Sequence, residues 1–237
     1  MSSKIGVFTF TRDRVQYTQV CFTSIRKCVK HYPLDHYVLD NGSTDDTRIF
    51  LGKTISSYAG LICSPVNMGL HVSAQMISNI IQPCDLVIKI DNDCKIRDAL
   101  SMQYIASIYT QLNKHNEKYI LSPKIIGITK QPKRGDSRVI STPNGDFTLG
   151  HVGQVGGLFM AIPYELFKVL KFNSNLPMAR GLDSAICSQA VSFGYRLAYV
   201  ENMSVEHYQT TDGQCKVYPE YFKRKRIEEQ NPFKGAI

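Results

Sequence analysis

Two aspartates separated by one residue follow a short apolar run near the middle of the chain. Residues 86–90 read Leu-Val-Ile-Lys-Ile, which predicts a buried strand, and Asp91 and Asp93 come directly after it. Because residues i and i+2 of an extended strand point to the same side, we expect both carboxylates to project together. A hard divalent ion that also takes phosphate oxygens relieves the repulsion between them. An isolated Asp-x-Asp is more often a solvated turn, so the surrounding sequence has to decide.

Strand and helix patterns alternate through the first half of the chain. Strands are predicted at residues 4–10, 37–39, 60–63 and 85–91. Helices are predicted between them and over 98–114, so the sequence indicates βαβ units and a parallel sheet. Ligands of such sheets bind beyond the carboxyl ends of the strands. Polar clusters fall at those ends, at residues 9–13, 40–43, 67–69 and 91–93.

The second half is less regular. A polar, basic loop over 129–138 and a glycine-rich stretch at 150–157 precede a strand at 158–162. A helix is predicted after Gly181, and a final strand at 196–200. With no internal repeat and no clear linker, we predict one domain with a basic tail. Its parts are a domain over 1–207, with a nucleotide-binding half at 1–97 and an acceptor half at 98–207, and a C-terminal extension at 208–237.

Composition indicates a globular protein with an anionic partner. The 237 residues are 43% hydrophobic and 20% charged, with a net charge of +8. The excess of lysine and arginine favours a nucleic acid, an anionic lipid or a nucleotide phosphate. The chain opens without a signal-peptide pattern and has no apolar stretch of the roughly 18 residues a membrane span needs. Seven scattered cysteines favour reduced thiols and a cytoplasmic location.

Three other interpretations of these motifs fail. A calcium loop starting at Asp40 would need glutamate at its twelfth position, where the chain has Leu51. A phosphatase-type nucleophile would need threonine or valine soon after Asp93, where the chain has Cys94 and Lys95. The Gly-x-Gly-x-x-Gly fingerprint is absent after the first strand, which weakens a dehydrogenase interpretation.

Taken together, the motifs resemble those of the family 2 glycosyltransferases, which have the GT-A fold, a Rossmann-like, mostly parallel sheet flanked by helices. The resemblance covers roughly residues 4–207. It rests on residues 40–45 (Asp-Asn-Gly-Ser-Thr-Asp), 67–69 (Asn-Met-Gly), the Asp91-Asn92-Asp93 version of the DXD motif, Gly156-Gly157, Leu182-Asp183 and His207. Each motif alone is weak, and their order and spacing make the set specific.

The resemblance implies a role for each matching residue. Nucleoside binding would fall to Thr9, Thr11 and Asp40, and further donor contacts to Asn67, Gly69, Asp91 and Asn92. Asp91 and Asp93 would place Mn²⁺ or Mg²⁺ on the diphosphate, and His207 would complete the metal shell; imidazole suits Mn²⁺ better. Asp183 would be the general base. Because Asp40 can accept from a base N–H, uridine is the expected nucleoside of the sugar donor.

The implied reaction is sugar transfer to a hydroxyl with inversion, because a base opposite the leaving group gives single displacement. One departure concerns the donor: the family often has Ala-Arg-Asn after Asn-x-Gly, and residues 73–75 are Ser-Ala-Gln. The basic residues would suit a phosphate backbone, such as viral or phage DNA carrying a hydroxymethylated base. They are Lys130, Lys133, Arg134, Arg138, Lys223 and Arg224.

Other acceptors and other functions stay open at this stage. A glycan, a lipid-linked molecule or a protein is equally admissible as the acceptor. Outside glycosyl transfer, the same motifs fit a non-catalytic module that binds a nucleotide or nucleic acid. They also fit a nucleotidyltransferase, which would release pyrophosphate rather than a nucleoside diphosphate.

Overall fold

A computed structural model of the chain describes residues 4–128, 132–173, 181–209 and 211–230. Its strands are β1 (Ile5–Thr11), β2 (Leu34–Asn41), β3 (Gly60–Ser64), β4 (Leu86–Ile90), β5 (Cys94–Ile96), β6 (Tyr119–Ile126), β7 (Ser137–Thr142), β8 (Gly145–His151), β9 (Phe159–Pro163) and β10 (Arg196–His207). Its α-helices are α1 (Val15–Val29), α2 (Thr47–Lys53), α3 (Leu70–Ile80), α4 (Ser101–Lys114), α5 (Tyr164–Val169), α6 (Leu182–Ser192), α7 (Thr211–Val217) and α8 (Pro219–Gln230). None of the helices in these ranges combines the length and apolar character that a membrane crossing requires.

One sheet contains all ten of these strands. Its order is β3-β2-β1-β4-β9-β6-β10-β8-β7, and β5 pairs with β10. The first four strands in that order are mutually parallel, while β9 runs antiparallel to both β4 and β6. The predicted α/β fold with a parallel βαβ half is therefore confirmed. Strands from both predicted halves join the same sheet.

The inner strands are apolar because both of their faces are covered. All seven residues of β1 and all five of β4 are buried, as expected for parallel strands between layers of helices. Helix α1 buries Cys21, Ile25 and Cys28, which lie on one face by helical spacing. This arrangement brings the carboxyl ends of β1, β2 and β4 to one edge of the sheet.

The later strands differ most from the sequence prediction. β10 continues to His207, seven residues beyond the predicted end at Val200, because a register shift between Val200 and Ser204 lets pairing with β6 resume. β7 begins at Ser137, inside the predicted 129–138 loop; residues 129–131 lie outside the described ranges. Residues 211–217 and 219–230, predicted only as part of a polar and basic tail, form α7 and α8.

Candidate active site

A cavity of about 260 Å³ lies at the carboxyl-end edge of the sheet. The β1–α1 connection, the end of β4, the first turn of α6 and the end of β10 all contribute to its wall, together with α7 and α8. Of the predicted site residues it contains Thr11, Asn67, Asp91, Asn92, Asp93, Asp183 and His207. Residues from strands far apart in sequence therefore converge on one cavity.

Asp91 and Asp183 meet at a buried lysine that the sequence analysis did not single out. Lys89 Nζ donates to Asp91 Oδ1 at 2.5 Å and lies 3.1 Å from Asp183 Oδ1. Burial alone would lower the pKa of Lys89, but the charges of Asp183 and Asp91 outweigh it and raise the pKa, so the side chain is an ammonium. Burial also raises the pKa of Asp91, and the charge of Asp183 adds to that shift.

Gly157 makes room for the Asp183 carboxylate. A Cβ atom at position 157 would lie 2.0 Å from Asp183 Cγ and from its Oδ2. Gly157 precedes β9, whose antiparallel pairing with β4 places Phe159 opposite Ile90 and so brings the glycine to the same edge as Asp91. The motif Gly156-Gly157 thus has a steric explanation at its second residue.

Asp93 has a different set of partners from Asp91. The N–H of Cys94 donates to the carbonyl of Asp91 at 2.9 Å, so residues 91–94 form a turn. The two aspartates therefore do not continue an extended strand, although both line the same cavity. Asp93 Oδ2 instead accepts from Arg14 Nη1 at 3.0 Å and from Gln214 Nε2 at 3.2 Å.

Arg14 holds two residues of this turn, Asn92 and Asp93. It is 8% exposed, has a left-handed backbone (φ 61°), and its Nη2 donates to Asn92 Oδ1 at 2.7 Å. Burial alone would raise the pKa of Asp93, but the Arg14 guanidinium overcomes this and lowers it. The ring of Tyr221, from α8, lies 4.5 Å from the guanidinium carbon, a cation–π contact.

His207 faces Asp93 in a geometry that suits a shared cation. His207 Nδ1 lies 2.7 Å from the carbonyl of Gln209, which can only accept, so Nδ1 carries the proton in the neutral ring. The lone pair of Nε2 is then 3.7 Å from Asp93 Oδ2, and two acceptors face each other. An imidazole nitrogen beside carboxylate oxygen is a donor set that fits Mn²⁺.

The three predicted metal ligands are not gathered around one point. Within the described part of the chain, no three His, Cys, Asp or Glu side chains converge as a metal cluster. Asp93 Oδ2 lies 3.7 Å from His207 Nε2. One oxygen of each aspartate already accepts a hydrogen bond, Asp91 Oδ1 from Lys89 and Asp93 Oδ2 from Arg14 and Gln214. Divalent ions on phosphate ligands often take one or two carboxylates and fill the other positions with phosphate and water. The residues present fit that arrangement.

The predicted nucleoside contacts divide into cavity residues and buried supports. Asp40 is fully buried: its Oδ1 accepts from Thr11 Oγ1 at 3.0 Å, and its Oδ2 accepts from the Ser43 N–H at 3.1 Å and from Arg48 Nε at 2.8 Å. Thr9 is also fully buried, with Oγ1 3.1 Å from His36 Nε2. Neither of these two lines the cavity. Their direct contact with a nucleoside stays a prediction.

The 67–69 turn leads into α3 beside the cavity. The Met68 N–H donates to Asn41 Oδ1 at 2.7 Å and the Gly69 N–H to Asn67 Oδ1 at 3.1 Å, so two asparagines hold the turn. Gly69 has φ 80°, which a side chain would strain, and this explains the glycine of the motif. Asn67 and Leu70 line the cavity on either side of it.

Sequence reasoning missed five residues that complete the site. Lys89 interrupts an apolar strand two residues before Asp91, a signal that was present but not used. The others lie in regions where no pattern pointed to the cavity: Arg14, Gln214, Tyr221 and Lys225. Cys94, next to Asp93, is fully buried, and burial raises the pKa of its thiol well above the usual value, so it is no nucleophile.

Three of the six basic residues proposed for DNA have acidic partners. Arg134 pairs with Glu201, Arg138 with Glu117, and Arg224 with Asp13 at 2.6 Å. Lys133 and Lys223 are exposed, and Lys130 lies outside the described residues.

The fold is that of known glycosyltransferases. The structure of GalNAc-T7 with UDP, GalNAc and Mn²⁺ matches with a TM-score of 0.68 at 15% identity, covering 88% of this chain and 44% of that one. The structure of S. aureus TarS 1-349 matches with a TM-score of 0.62 at 14% identity, covering 99% of this chain and 66% of that one. The mannosyltransferase PcManGT from Pyrobaculum calidifontis, in complex with GDP-Man and Mn²⁺, matches with 0.66 at 14% identity, covering 97% and 62%.

These matches define a class of fold. The chain has the GT-A glycosyltransferase fold, as the sequence motifs implied. It spans between 44% and 66% of the length of the three proteins. The sequence itself matches no protein-family model and no curated protein.

Proposed function

We propose that the protein is an inverting glycosyltransferase that moves a sugar from a nucleoside-diphosphate sugar to an acceptor hydroxyl. The donor we propose to test first is a UDP-sugar. The observation that carries the proposal is the shared cavity: Asp183 lies 3.1 Å from the lysine that also holds Asp91. The similar structures of GalNAc-T7 with UDP and of TarS with UDP-GlcNAc support the choice of donor.

The chain's own residues account for the proton and the bond changes. The acceptor oxygen attacks the anomeric carbon, the bond from that carbon to the diphosphate oxygen breaks, and the nucleoside diphosphate leaves with the bonding electrons. Asp183 takes the proton of the attacking hydroxyl. Its Oδ1 faces Lys89, and the side chain is 36% exposed, so Oδ2 is the oxygen available to an acceptor.

Asp93 and His207, with Asp91 as a third candidate, would hold Mn²⁺ or Mg²⁺ on the diphosphate. When bound, the ion would neutralise negative charge that develops on the leaving diphosphate. Arg14 keeps Asp93 ionised and fixed in position, and so prepares it as a ligand.

The test is a panel of nucleotide sugars with Mn²⁺, read out as nucleoside diphosphate released by slow hydrolysis. Asp183→Asn should lower transfer by about 10²–10⁴-fold and leave donor affinity unchanged, because the isosteric amide cannot accept the proton. Asp146→Asn, an exposed carboxyl on β8, is the matched control and should keep full activity. Release of pyrophosphate would identify a nucleotidyltransferase, and binding without turnover a non-catalytic module; either result sinks the proposal.

For the acceptor, a hydroxymethylated base in DNA is the candidate that the net charge of +8 favours. Because Arg134, Arg138 and Arg224 form ion pairs, the exposed Lys133 and Lys223 are the proposed residues left to contact DNA phosphates in the part of the chain that the structure describes. A gel-shift assay at low ionic strength tests it, and absence of binding removes DNA and leaves a glycan, lipid-linked or protein hydroxyl. A cytoplasmic location remains part of the proposal.

A further inference from the structure

Lys89 is a fully enclosed ammonium with three acceptors. Its side chain is 3% exposed, and Nζ contacts Asp91 Oδ1 at 2.5 Å, the carbonyl of Gly157 at 2.6 Å and Asp183 Oδ1 at 3.1 Å. The first two contacts are hydrogen bonds, and the third is an ion pair, because Asp183 Oδ1 is buried and accepts no hydrogen bond from the residues that the structure describes. Since burying an unpaired charge is strongly unfavourable, the contacts explain how a lysine is tolerated in the middle of the apolar strand β4.

The same three contacts link separate elements around Asp183. Asp91 ends β4, Gly157 precedes β9, and Asp183 lies in the first turn of α6, beside Gly181 with φ 87°. The Asp183 carboxylate packs against the bare Cα of Gly157 on one side and faces Lys89 on the other. Both contacts hold the carboxylate, and only the lysine selects which of its two oxygens is engaged.

We propose that Lys89 is a positioning residue for the general base: it engages Oδ1 of Asp183 and so fixes Oδ2 toward the acceptor hydroxyl. The inference rests on the proposed role of Asp183. Lys89 itself does not contact the reacting atoms, because its ammonium is enclosed by hydrogen bonds to Asp91 and Gly157 and by the ion pair with Asp183. Its contribution is orientation, and a misplacement of about 1 Å at such a position costs about 10²-fold in rate.

The experiment compares Lys89→Met, Lys89→Ala and the control Lys124→Ala, an exposed lysine on strand β6. In steady-state assays, Lys89→Met should lower kcat by about 10²-fold, a larger effect than any rise in donor KM caused by losing its contact with Asp91. Ethylammonium or propylammonium should restore part of the activity of Lys89→Ala, since either ion fits the space left by the side chain. Tetramethylammonium, which has no N–H, should not, and none of the ions should alter Lys124→Ala.

Crystal structures of the wild type and Lys89→Met give a readout that does not depend on activity. The Asp183 carboxylate should leave Gly157 or rotate in the variant. If the wild type transfers no sugar but Asp183 moves, positioning holds and the proposed function fails. If the wild type is active and Lys89→Met keeps its kcat, or if Asp183 stays in place in both structures, the inference is overturned. If neither variant folds, Lys89→Gln replaces them, and urea unfolding checks that it is folded. Glutamine has no charge to engage Asp183 Oδ1, so wild-type kcat in that folded variant contradicts the proposal.

Discussion

At the scale of single residues, the site is a set of buried and partly buried charges that pair with one another within the chain. Each aspartate of the motif forms an ion pair, Asp91 with Lys89 and Asp93 with Arg14. These pairs already reduce the repulsion expected between the two neighbouring carboxylates. Three carboxylates, counting Asp183, still outnumber these two cations. The remaining negative charge is consistent with a divalent ion arriving together with a diphosphate.

Gly157→Ala should inactivate the protein without removing any charged group. The new methyl group would overlap the Asp183 carboxylate, whose Cγ is 2.0 Å from the Cβ position, and force it away from Lys89. We expect kcat to fall by about 10²-fold or more, with binding of UDP unchanged by calorimetry. Gly153→Ala is the matched control, because a Cβ there meets nothing within 4 Å. Equal activity of the two variants would contradict the role assigned to Gly157.

His36 should make stability depend on pH. It is 5% exposed, and burial, with a smaller effect of Arg26, lowers its pKa from 6.5 to about 3. Above pH 6.5 the ring is neutral in both the folded and unfolded states and contributes no pH dependence. Below pH 6.5 only the unfolded chain binds the proton, so the free energy of unfolding should fall by up to about 1.4 kcal/mol per pH unit.

Urea unfolding between pH 7 and pH 5 measures this effect. His36→Gln should flatten the decline, because glutamine does not titrate, whatever its effect on stability at pH 7. His31→Gln, at an exposed position, should keep the wild-type slope. A His36→Gln protein with the wild-type slope would show that another group is responsible.

At the scale of elements, one carboxylate stabilises the starts of two helices. Asp45 Oδ2 accepts from the N–H of Val15, the first residue of α1, at 3.0 Å, and Oδ1 accepts from the N–H of Thr47, the first residue of α2, at 2.9 Å. The first N–H groups of a helix have no partner within it, so each contact replaces a missing hydrogen bond. Asp45 thereby fixes the β1–α1 connection, and with it Arg14, against the loop after β2.

Asp45→Ala should therefore lower the free energy of unfolding by about 1–2 kcal/mol. Asp46→Ala removes the neighbouring exposed carboxylate and should change it by less than about 0.5 kcal/mol. Chemical denaturation at pH 7 compares the two. A similar loss in both variants would mean that local negative charge, rather than the two capping contacts, matters.

The elements that could be predicted from sequence are those with a clear period or composition. β1, β2, β3 and β4 are short apolar runs bounded by turn residues, and α1 has helical spacing of Cys21, Ile25 and Cys28. β7 and β10 mix exposed and buried positions and depend on pairing with distant strands, which sequence periodicity does not report. The residues that line the cavity divide in the same way. Asp91, Asp183 and His207 belong to motifs that the sequence shows, whereas Arg14 and Gln214 reach the cavity only through tertiary contacts.

At the scale of the whole molecule, the C-terminal helices close the edge of the sheet. Residues that sequence reasoning assigned to a basic extension return to the first loop of the chain. Gln214 of α7 contacts both Arg14, at 2.8 Å, and Asp93, at 3.2 Å. Tyr221, Phe222 and Lys225 of α8 line the cavity. The predicted boundary at 207 stays a prediction, but the site includes residues on both sides of it.

Arg224→Met tests whether α8 belongs to the binding site. Arg224 Nη2 donates to Asp13 Oδ2 at 2.6 Å and Nη1 to Thr44 Oγ1 at 2.9 Å, which anchors α8 beside the cavity. Without this anchor, we expect Tyr221 and Lys225 to lose their fixed positions and the Kd for UDP with Mn²⁺ to rise by about 10-fold, equivalent to about 1.4 kcal/mol. Thermal unfolding should change little, because the Arg224 side chain is 41% exposed and the buried Asp13 keeps its hydrogen bonds from the N–H groups of Thr44 and Asp45.

Lys223→Met is the control for charge, since it removes one positive charge from the same helix at an exposed position. Calorimetric titration of both variants with UDP and Mn²⁺ separates the two explanations. Weaker binding of UDP in Arg224→Met alone assigns the effect to the anchor. Equal weakening in both variants assigns it to the general electrostatic field, and 0.5 M salt should then weaken UDP binding in the wild type as well. Unchanged affinity for UDP in both variants would contradict a role of the α8 anchor in donor binding. Donor binding would then be assigned to the sheet, α6 and the loop before α1.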